Sequence, residues 1–163
     1  MHIAEGVLSA PVLITGAVVA AGAVAYGLKK LDPRQVMMAA ILGAAFFVAS
    51  LIHIPVGPSS VHLLLNGLLG VLLGWSAVPV IFVGLLLQAI LYGFGGLTVL
   101  GVNTATMGLG AVLSWYIFGG LLSVLKPLGA KKAAAVSGFV SGACGVAIAG
   151  PHRARARVYG RRI

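Results

Sequence analysis

Residues 35–54 read QVMMAAILGAAFFVASLIHI and begin a stretch that runs to Leu125 without one Asp, Glu, Lys or Arg. A helix crosses the hydrocarbon core of a bilayer with about 20 apolar residues, so this stretch alone is long enough for roughly four crossings. Charged residues make up 8% of the chain, against about 25% in a soluble domain. Too few charges remain to cover a water-facing surface, and the sequence therefore predicts an integral membrane protein.

The spacing of apolar residues favours helices over a barrel. The runs lack the alternation of lipid-facing strands, so we predict an all-α, polytopic transmembrane helix bundle of about six hydrophobic segments. Residues 53–60 contain two prolines and a glycine within four positions and cannot form a regular helix. Some segments are expected to be short or broken, and the fifth is interrupted or begins near Asn103. Polar or Pro/Gly-rich breaks place the segments at roughly 7–28, 35–54, 61–75, 78–92, 97–125 and 133–149.

Basic residues predict the orientation. One cluster lies at residues 29–34 and a second at 126–132, and positively charged loops face the cytoplasm. Both loops fall on the cytoplasmic side if the N-terminus lies on the outer side. Six crossings place the Arg-rich residues 150–163 outside, against this rule. The same clustering leaves no basic helix face for nucleic acid, which we exclude as a partner.

The small residues predict close helix packing. Glycine occurs 24 times, and Ala17 with Ala21 and Gly138 with Gly142 have the spacing that lets membrane helices approach one another.

This chain lacks the residues that several kinds of activity require. Glu5 and Asp32 are its two carboxylates, so paired-carboxylate catalysis is excluded, and we predict no enzyme. There is no Gly-x-x-x-x-Gly-Lys-Ser/Thr loop for ATP phosphates. Uphill transport by this chain therefore needs energy from a partner or from an ion gradient.

The N-terminal dipeptide is a candidate metal chelate. The Met1 amine and the His2 backbone nitrogen can close a five-membered ring on a metal, and that nitrogen and the His2 imidazole can close a six-membered ring. Three nitrogens in one plane suit Ni(II) or Cu(II) and can hold Co(II). The alternative is that His2 is a disordered terminal residue without a function.

His62 is the second candidate ligand. It begins segment three at a hydrophobic depth where ionisable groups indicate function, on the same predicted side as His2. The alternative is a hydrogen-bonded histidine of the core or an interface. His53, at the end of segment two, fits the headgroup boundary. Asn103, in a predicted helix break, is a candidate to orient a metal ligand by hydrogen bonding to it, and Ser60 and Glu5 are further candidates for that role.

Three segments resemble the CbiM/NikM family, the substrate-binding membrane components of cobalt and nickel energy-coupling factor transporters: MHIAEG at 1–6, PVGPSSVHL at 55–63 and LGVNT at 100–104. The resemblance implies an N-terminus that tucks into the bundle and supplies the Met1 amine, the His2 amide and the His2 imidazole. His62 is then the matching fourth ligand. Residues 1–149 are the implied membrane-embedded metal-capturing domain, and residues 150–163 depart from the family as an altered or truncated end.

The family also implies a function and partners. The chain is expected to capture cobalt on the outer face of a bacterial cytoplasmic membrane, with nickel as the alternative cargo. Its implied partners are a transmembrane coupling subunit, cytoplasmic ATPase subunits that hydrolyse ATP, and a small accessory membrane subunit. A stand-alone metal channel or carrier is a second alternative, and a vitamin-specific subunit, which has no need of His2, is a third.

Overall fold

The computed structural model describes residue 6 and residues 8–56, 59–62, 65–125 and 130–149, with the backbone alone for 53–56, 59–62, 130, 131 and 145–149. Two short 3-10 turns, Pro33–Gln35 and Gly74–Ser76, lead into the second and fourth helices. Strands β1, His53–Val56, and β2, Ser59–His62, form an antiparallel ribbon between α2 and α3. The helices in these ranges are α1 Ala10–Lys30, α2 Val36–Leu51, α3 Asn66–Leu73, α4 Ala77–Tyr92, α5 Leu100–Leu125 and α6 Ala130–Ala149.

The burial and exposure of the described side chains suit a hydrocarbon solvent. Gln88 and Thr104 are fully buried, whereas Phe139 is 80% exposed and Met37 is 76% exposed. This arrangement keeps polar side chains inside the bundle and presents apolar side chains outward, as lipid requires. This confirms the predicted helix bundle, while the number of crossings and their sidedness remain predictions. Among the described residues, four stretches are long and apolar enough to cross a membrane: Ala10–Lys30, Pro33–Leu51, Asn66–Tyr92 and Leu100–Leu125.

The central helix is α5, which packs against α1, α3, α4 and α6. Helices α3 and α5 run in the same direction, because Gly70 meets Ala111 and Gly74 meets Trp115 one turn later. A Cβ atom added at Gly70 would overlap the carbonyl oxygen of Ala111. The two backbones therefore touch, which is the packing that small residues allow in membranes.

Two of the small residues singled out in the sequence lie at further close approaches. A Cβ added at Gly67 would lie 2.8 Å from the Cα atom of Gly142, where α3 meets α6. A Cβ added at Gly101 would lie 2.6 Å from the Cα atom of Ala17, where α1 meets α5. Three of the contacts that fix the bundle thus depend on the absence of side chains.

The first basic loop and the turn between α3 and α4 lie at the same end of the bundle. The rings of Tyr26 and Trp75 meet edge to face with centroids 4.8 Å apart, and the Lys30 ammonium lies 5.7 Å from the Tyr26 ring centroid. Trp75 Nε1 donates to the Tyr116 hydroxyl at 3.3 Å. We call this the basic end. The turn at residues 74–78 therefore shares an end with the first basic loop, as the predicted alternation requires.

The opposite end holds the ends of α2 and α4. The rings of Phe47 and Tyr92 lie 6.2 Å apart, and Gly93, with φ of 64°, ends α4 in a left-handed conformation. The predicted glycine-rich break at residues 93–96 is confirmed, since Gly95 and Gly96 also have positive φ.

A buried amide ties α4 to the last turn of α2. Gln88 Nε2 donates to Ser50 Oγ and, at 3.4 Å, to the carbonyl oxygen of Phe47. Ser50 Oγ in turn donates to the same carbonyl at 2.8 Å. This network fixes the helix turn from which β1 leaves.

Replacing Gln88 separates the packing of this site from its hydrogen bonds. Gln88→Ala should lower the free energy of unfolding by about 2 kcal/mol, because it leaves a cavity and removes the amide. Gln88→Met keeps the volume and should cost about 0.6 kcal/mol, a typical value for a hydrogen bond between membrane helices. Unfolding of the purified variants in detergent measures both values. Equal losses would mean that the hydrogen bonds, and not the filled volume, dominate.

Candidate functional site

The ribbon brings two histidines to one position of the ladder. Its register pairs Val56 with Ser59, Pro55 with Ser60, Ile54 with Val61, and His53 with His62. Residues opposite each other in an antiparallel pair lie on the same face of the ribbon. The backbone therefore places His53 and His62 side by side at its base.

At the base of the ribbon, each of the two strands is followed or preceded along the chain by a helix. Strand β1 begins two residues after Leu51, the last residue of α2, whose final turn carries the Gln88–Ser50 network. Strand β2 ends at His62, and Asn66 begins α3 in a fully buried position. His62 thus lies four residues before the start of a helix that packs directly on α5.

Buried polar groups lie along this part of α5. Asn66 is one turn before Gly70 on α3, so the parallel packing of α3 and α5 puts it level with Met107. Asn103 lies a further turn toward the start of α5 and is 3% exposed, and its neighbour Thr104 is fully buried. Within the described part of the chain, the hydroxyl of Thr104 has no hydrogen-bond partner. The start of α5 is therefore unusually polar for a membrane interior.

The start of α1 lies beside the same part of α5. Pro11 and Thr15 face Val102 and Thr106 across a cleft of about 350 Å³. Residues 1–9 precede α1 and can span at most about 30 Å when extended. Helix α1 therefore begins at the same end of the bundle as Asn103.

A second cavity lies at the basic end and has different chemistry. Its volume is about 310 Å³, and Lys30, Gln35, Trp75 and Trp115 are among its lining residues. The lining residues include no carboxylate, thiol or imidazole. A lysine ammonium repels cations, so this cavity does not suit a metal.

The structure describes only some of the predicted ligands. Met1, His2 and Glu5 lie outside the described residues, as does the tail at 150–163. Ser60 and His62 are placed in β2 by their backbone. In the described ranges, no three His, Cys, Asp or Glu residues form a group that could hold a metal.

Two predictions about local structure need correction. Asn103 does not lie in a helix break, because α5 already begins at Leu100 and the Asn103 N–H donates to the Val99 carbonyl at 2.9 Å. Segment three does not begin as a helix at residue 61, because residues 59–62 pair with β1 and α3 begins at Asn66.

Sequence reasoning also missed the partner of His62. His53 was interpreted as a headgroup-boundary residue, and the structure places it opposite His62 in the ladder. A signal was present, since the two histidines are spaced symmetrically about Gly57-Pro58, a turn dipeptide flanked by short β-branched segments.

Comparisons with known proteins point to one family. The family model described as CbiM, cobalt uptake substrate-specific transmembrane region, matches residues 2–152. A putative metal transport protein of Haemophilus influenzae is 46% identical over 150 residues, which cover 92% of this chain and 71% of that protein. The fused nickel transport protein NikMN of Rhodobacter capsulatus is 38% identical over 116 residues, 66% of this chain and 33% of that protein.

A solved structure has a similar fold. The crystal structure of a truncated transition metal transporter superposes with a TM-score of 0.66 at 27% identity, covering 89% of this chain and 70% of that one. This chain spans about half the length of another relative that it matches, the cobalt transport protein CbiM 1 of Pelobacter propionicus. The match over residues 2–152 and the apolar helices identify a multi-pass membrane protein that belongs to the CbiM family of cobalt uptake substrate-specific transmembrane regions.

Proposed function

We propose that this chain captures Co(II) at the outer face of the bacterial cytoplasmic membrane as the substrate-binding component of an ATP-driven importer. The observation that carries the proposal is the family match over residues 2–152, which includes both His2 and His62. Family membership supports the coarser part, a metal-uptake component that works with other transporter subunits. Ni(II) is the alternative cargo, which the likeness to a nickel transport protein favours.

The proposed ligands are the Met1 amine, the His2 amide nitrogen, the His2 imidazole and the His62 imidazole. The ribbon supports this set because it anchors His62 between α2 and α3. Residues 1–9 are long enough to bring Met1 from the start of α1 across the same end of the bundle. Asn103, Ser60 and Glu5 are proposed to orient these donors.

Nitrogen donors suit both proposed cargoes. Four nitrogens in or near one plane form the tetragonal field that Ni(II) favours and that Co(II) accepts. The chain has two carboxylates, and Asp32, at the basic end, uses its oxygen to accept from the Arg34 N–H at 2.8 Å. The chain therefore lacks the carboxylates needed for a hard, oxygen-rich site of the type that holds Mg²⁺ or Ca²⁺.

Import by such a chain needs partners. The sequence has no P-loop, so ATP hydrolysis belongs to cytoplasmic ATPase subunits, linked through a transmembrane coupling subunit. A small accessory membrane subunit completes the proposed assembly. Proteoliposomes that contain this chain alone should therefore show no metal flux, and flux at the rate of the full assembly would favour a stand-alone carrier.

Replacing His62 tests the proposed site directly. Purified protein in detergent should bind about one Co(II) or Ni(II) per chain, and His62→Ala should weaken binding at least about 100-fold. The reason is that losing even a residue that only hydrogen-bonds to a metal ligand costs 10- to 100-fold in metal affinity. Titration calorimetry measures the affinity, and His152→Ala in the tail is the matched control. Equal affinity of the His62→Ala variant and the control would exclude His62 as a ligand.

A further inference from the structure

An apolar groove of about 520 Å³ runs along α4, between the last turn of α1 and helix α2. Helix α4 packs against both of these helices. The last turn of α1 lies on the first turn of α4, because a Cβ atom added at Gly27 would lie 2.6 Å from the Pro79 Cδ atom. Helix α2 approaches α4 at Gly43, where an added Cβ would lie 3.0 Å from Val80 Cγ1. The groove therefore has walls on three helices.

The groove is apolar throughout and opens on the outside of the bundle. All of its lining residues are Leu, Val, Phe, Pro, Ala or Gly. Ala39 in the floor is 4% exposed, whereas Val83 and Leu87 in the wall are 52% and 42% exposed. In a membrane such an opening faces hydrocarbon, and filling it with water would gain no hydrogen bonds from the protein. Its occupant is therefore apolar along the groove.

The length of the groove matches one leaflet of a bilayer. Both α2 and α4 begin at the basic end, and the lining on α2 runs from Val36 to Phe47, which is about 16 Å of helix. The hydrocarbon core of a bilayer is about 30 Å thick, so one leaflet accounts for about 15 Å. The groove ends at Phe47, whose ring centroid lies 6.2 Å from that of Tyr92. A spanning helix would need a groove across both leaflets, whereas an acyl chain needs only one.

Positive charge surrounds the groove at the basic end. Leu31 and Val36 line the groove there, and the loop that contains them carries three cations and one carboxylate: Lys29, Lys30, Arg34 and Asp32. The loop therefore has a net charge of +2. It is predicted to face the cytoplasm, and the cytoplasmic leaflet is the one that carries anionic lipids. The charge of the loop thus complements a negative headgroup.

We propose that the groove holds an acyl chain of an anionic phospholipid from the cytoplasmic leaflet, with the phosphate of its headgroup beside Lys29 and Arg34. Both residues are exposed, whereas the Lys30 ammonium lies over the Tyr26 ring. Basic pockets between membrane helices on the cytoplasmic side select anionic headgroups in this way. The bound lipid contacts α1, α2 and α4 at once and so stabilises the bundle. The proposal concerns a different end of the molecule from the metal ligands and does not depend on the cargo.

Charge variants test the headgroup contact. Native mass spectrometry of the purified chain in detergent measures the affinity for phosphatidylglycerol and for phosphatidylcholine with the same acyl chains. Phosphatidylglycerol should bind at least about fivefold more tightly. Lys29→Gln/Arg34→Gln should weaken its binding by about tenfold or more, because each basic residue near a membrane surface contributes about fivefold, and should change phosphatidylcholine binding less than about twofold. The control Lys131→Gln/Lys132→Gln removes the same charge from the second basic loop and should retain the natural affinity.

A ring placed in the groove tests the acyl-chain contact. Ala44 lines the groove, whereas its neighbour Ala45 does not, and both are exposed on α2. Ala44→Phe should fill the space and weaken binding of both phospholipids by about tenfold or more. Ala45→Phe adds the same ring outside the groove and should leave both affinities unchanged. The size-exclusion profile of each variant should match that of the natural chain.

Two comparisons and one cross-link can overturn the proposal. Equal binding of phosphatidylglycerol by Lys29→Gln/Arg34→Gln and by Lys131→Gln/Lys132→Gln removes the headgroup contact. Equal binding by Ala44→Phe and by Ala45→Phe removes the acyl chain from the groove. A photo-crosslinker at position 44, activated in membranes, should label phospholipid. Labelling of a second copy of the chain or of another transporter subunit would instead assign the groove to a protein helix.

Discussion

One alanine added before Met1 should abolish metal capture while the helix bundle stays folded. The added residue converts the Met1 amine into an amide and moves the free amine one residue away. The proposed five-membered ring between the Met1 amine and the His2 backbone nitrogen then cannot form. We expect Co(II) affinity to fall at least about 100-fold, since losing even a residue that only hydrogen-bonds to a metal ligand costs 10- to 100-fold.

Titration calorimetry of the extended protein measures this loss, and thermal unfolding in detergent checks the fold. The matched control adds the same alanine after Ile163, at the other terminus. Affinity should also fall as the pH is lowered, because protons compete with the metal for amine, amide and imidazole nitrogens. An N-terminally extended protein that binds one Co(II) with unchanged affinity would remove Met1 from the ligand set.

The helix bundle could be predicted from the sequence because its signal is compositional. A charge-free run from Gln35 to Leu125 admits few structures in which backbone groups are satisfied in lipid, and helices are the main one. The breaks at residues 29–34 and 93–96 also followed from the polar residues of the first and the glycines of the second. Alternating crossings, counted from the basic loop at residues 29–34, predicted that the turn at residues 74–78 lies at the same end of the bundle as that loop.

The ribbon could not be predicted from the same signals. Residues 53–62 contain two histidines, two prolines and a glycine, and this composition marks a break between helices without distinguishing a strand pair from an irregular loop. The ladder depends on pairing between residues up to nine positions apart. The flanking helices, not the local sequence, hold that pairing in place. His53 was therefore assigned to the membrane boundary, although the register sets it opposite His62.

The role of Asn103 shows a second limit. A polar residue after a glycine-rich run suggests a break, but a helix can begin three residues earlier and bury the amide against its neighbours. In this bundle α5 begins at Leu100 and Asn103 is 3% exposed. Tertiary packing, which sequence alone does not report, decided between the two arrangements.

Gly70→Ala is expected to be the most damaging single substitution in the bundle. Its added methyl group would overlap the Ala111 carbonyl oxygen, which belongs to the backbone of the central helix and cannot rotate away. Overpacking of a close-packed interior costs 1–3 kcal/mol and occasionally more. We expect a loss of at least about 3 kcal/mol here, because α3 must separate from α5 to admit the methyl group.

The glycines of the bundle give this prediction a graded control. A Cβ at Gly67 would lie 2.8 Å from Gly142, a milder conflict, whereas a Cβ at Gly119 would meet nothing within 4 Å. Stability should therefore fall in the order Gly119→Ala, Gly67→Ala, Gly70→Ala. Unfolding temperature and the yield of monodisperse protein in detergent measure the series.

The same series tests whether the site depends on the packing of α3. His62 lies four residues before Asn66, so displacing α3 from α5 should also move the ribbon that carries it. Gly70→Ala protein that remains folded should bind Co(II) more weakly than Gly119→Ala protein, although neither substitution removes a donor. Natural stability and natural affinity in Gly70→Ala would show that α3 and α5 do not touch at this position, and the proposed anchoring of His62 would fail with that contact.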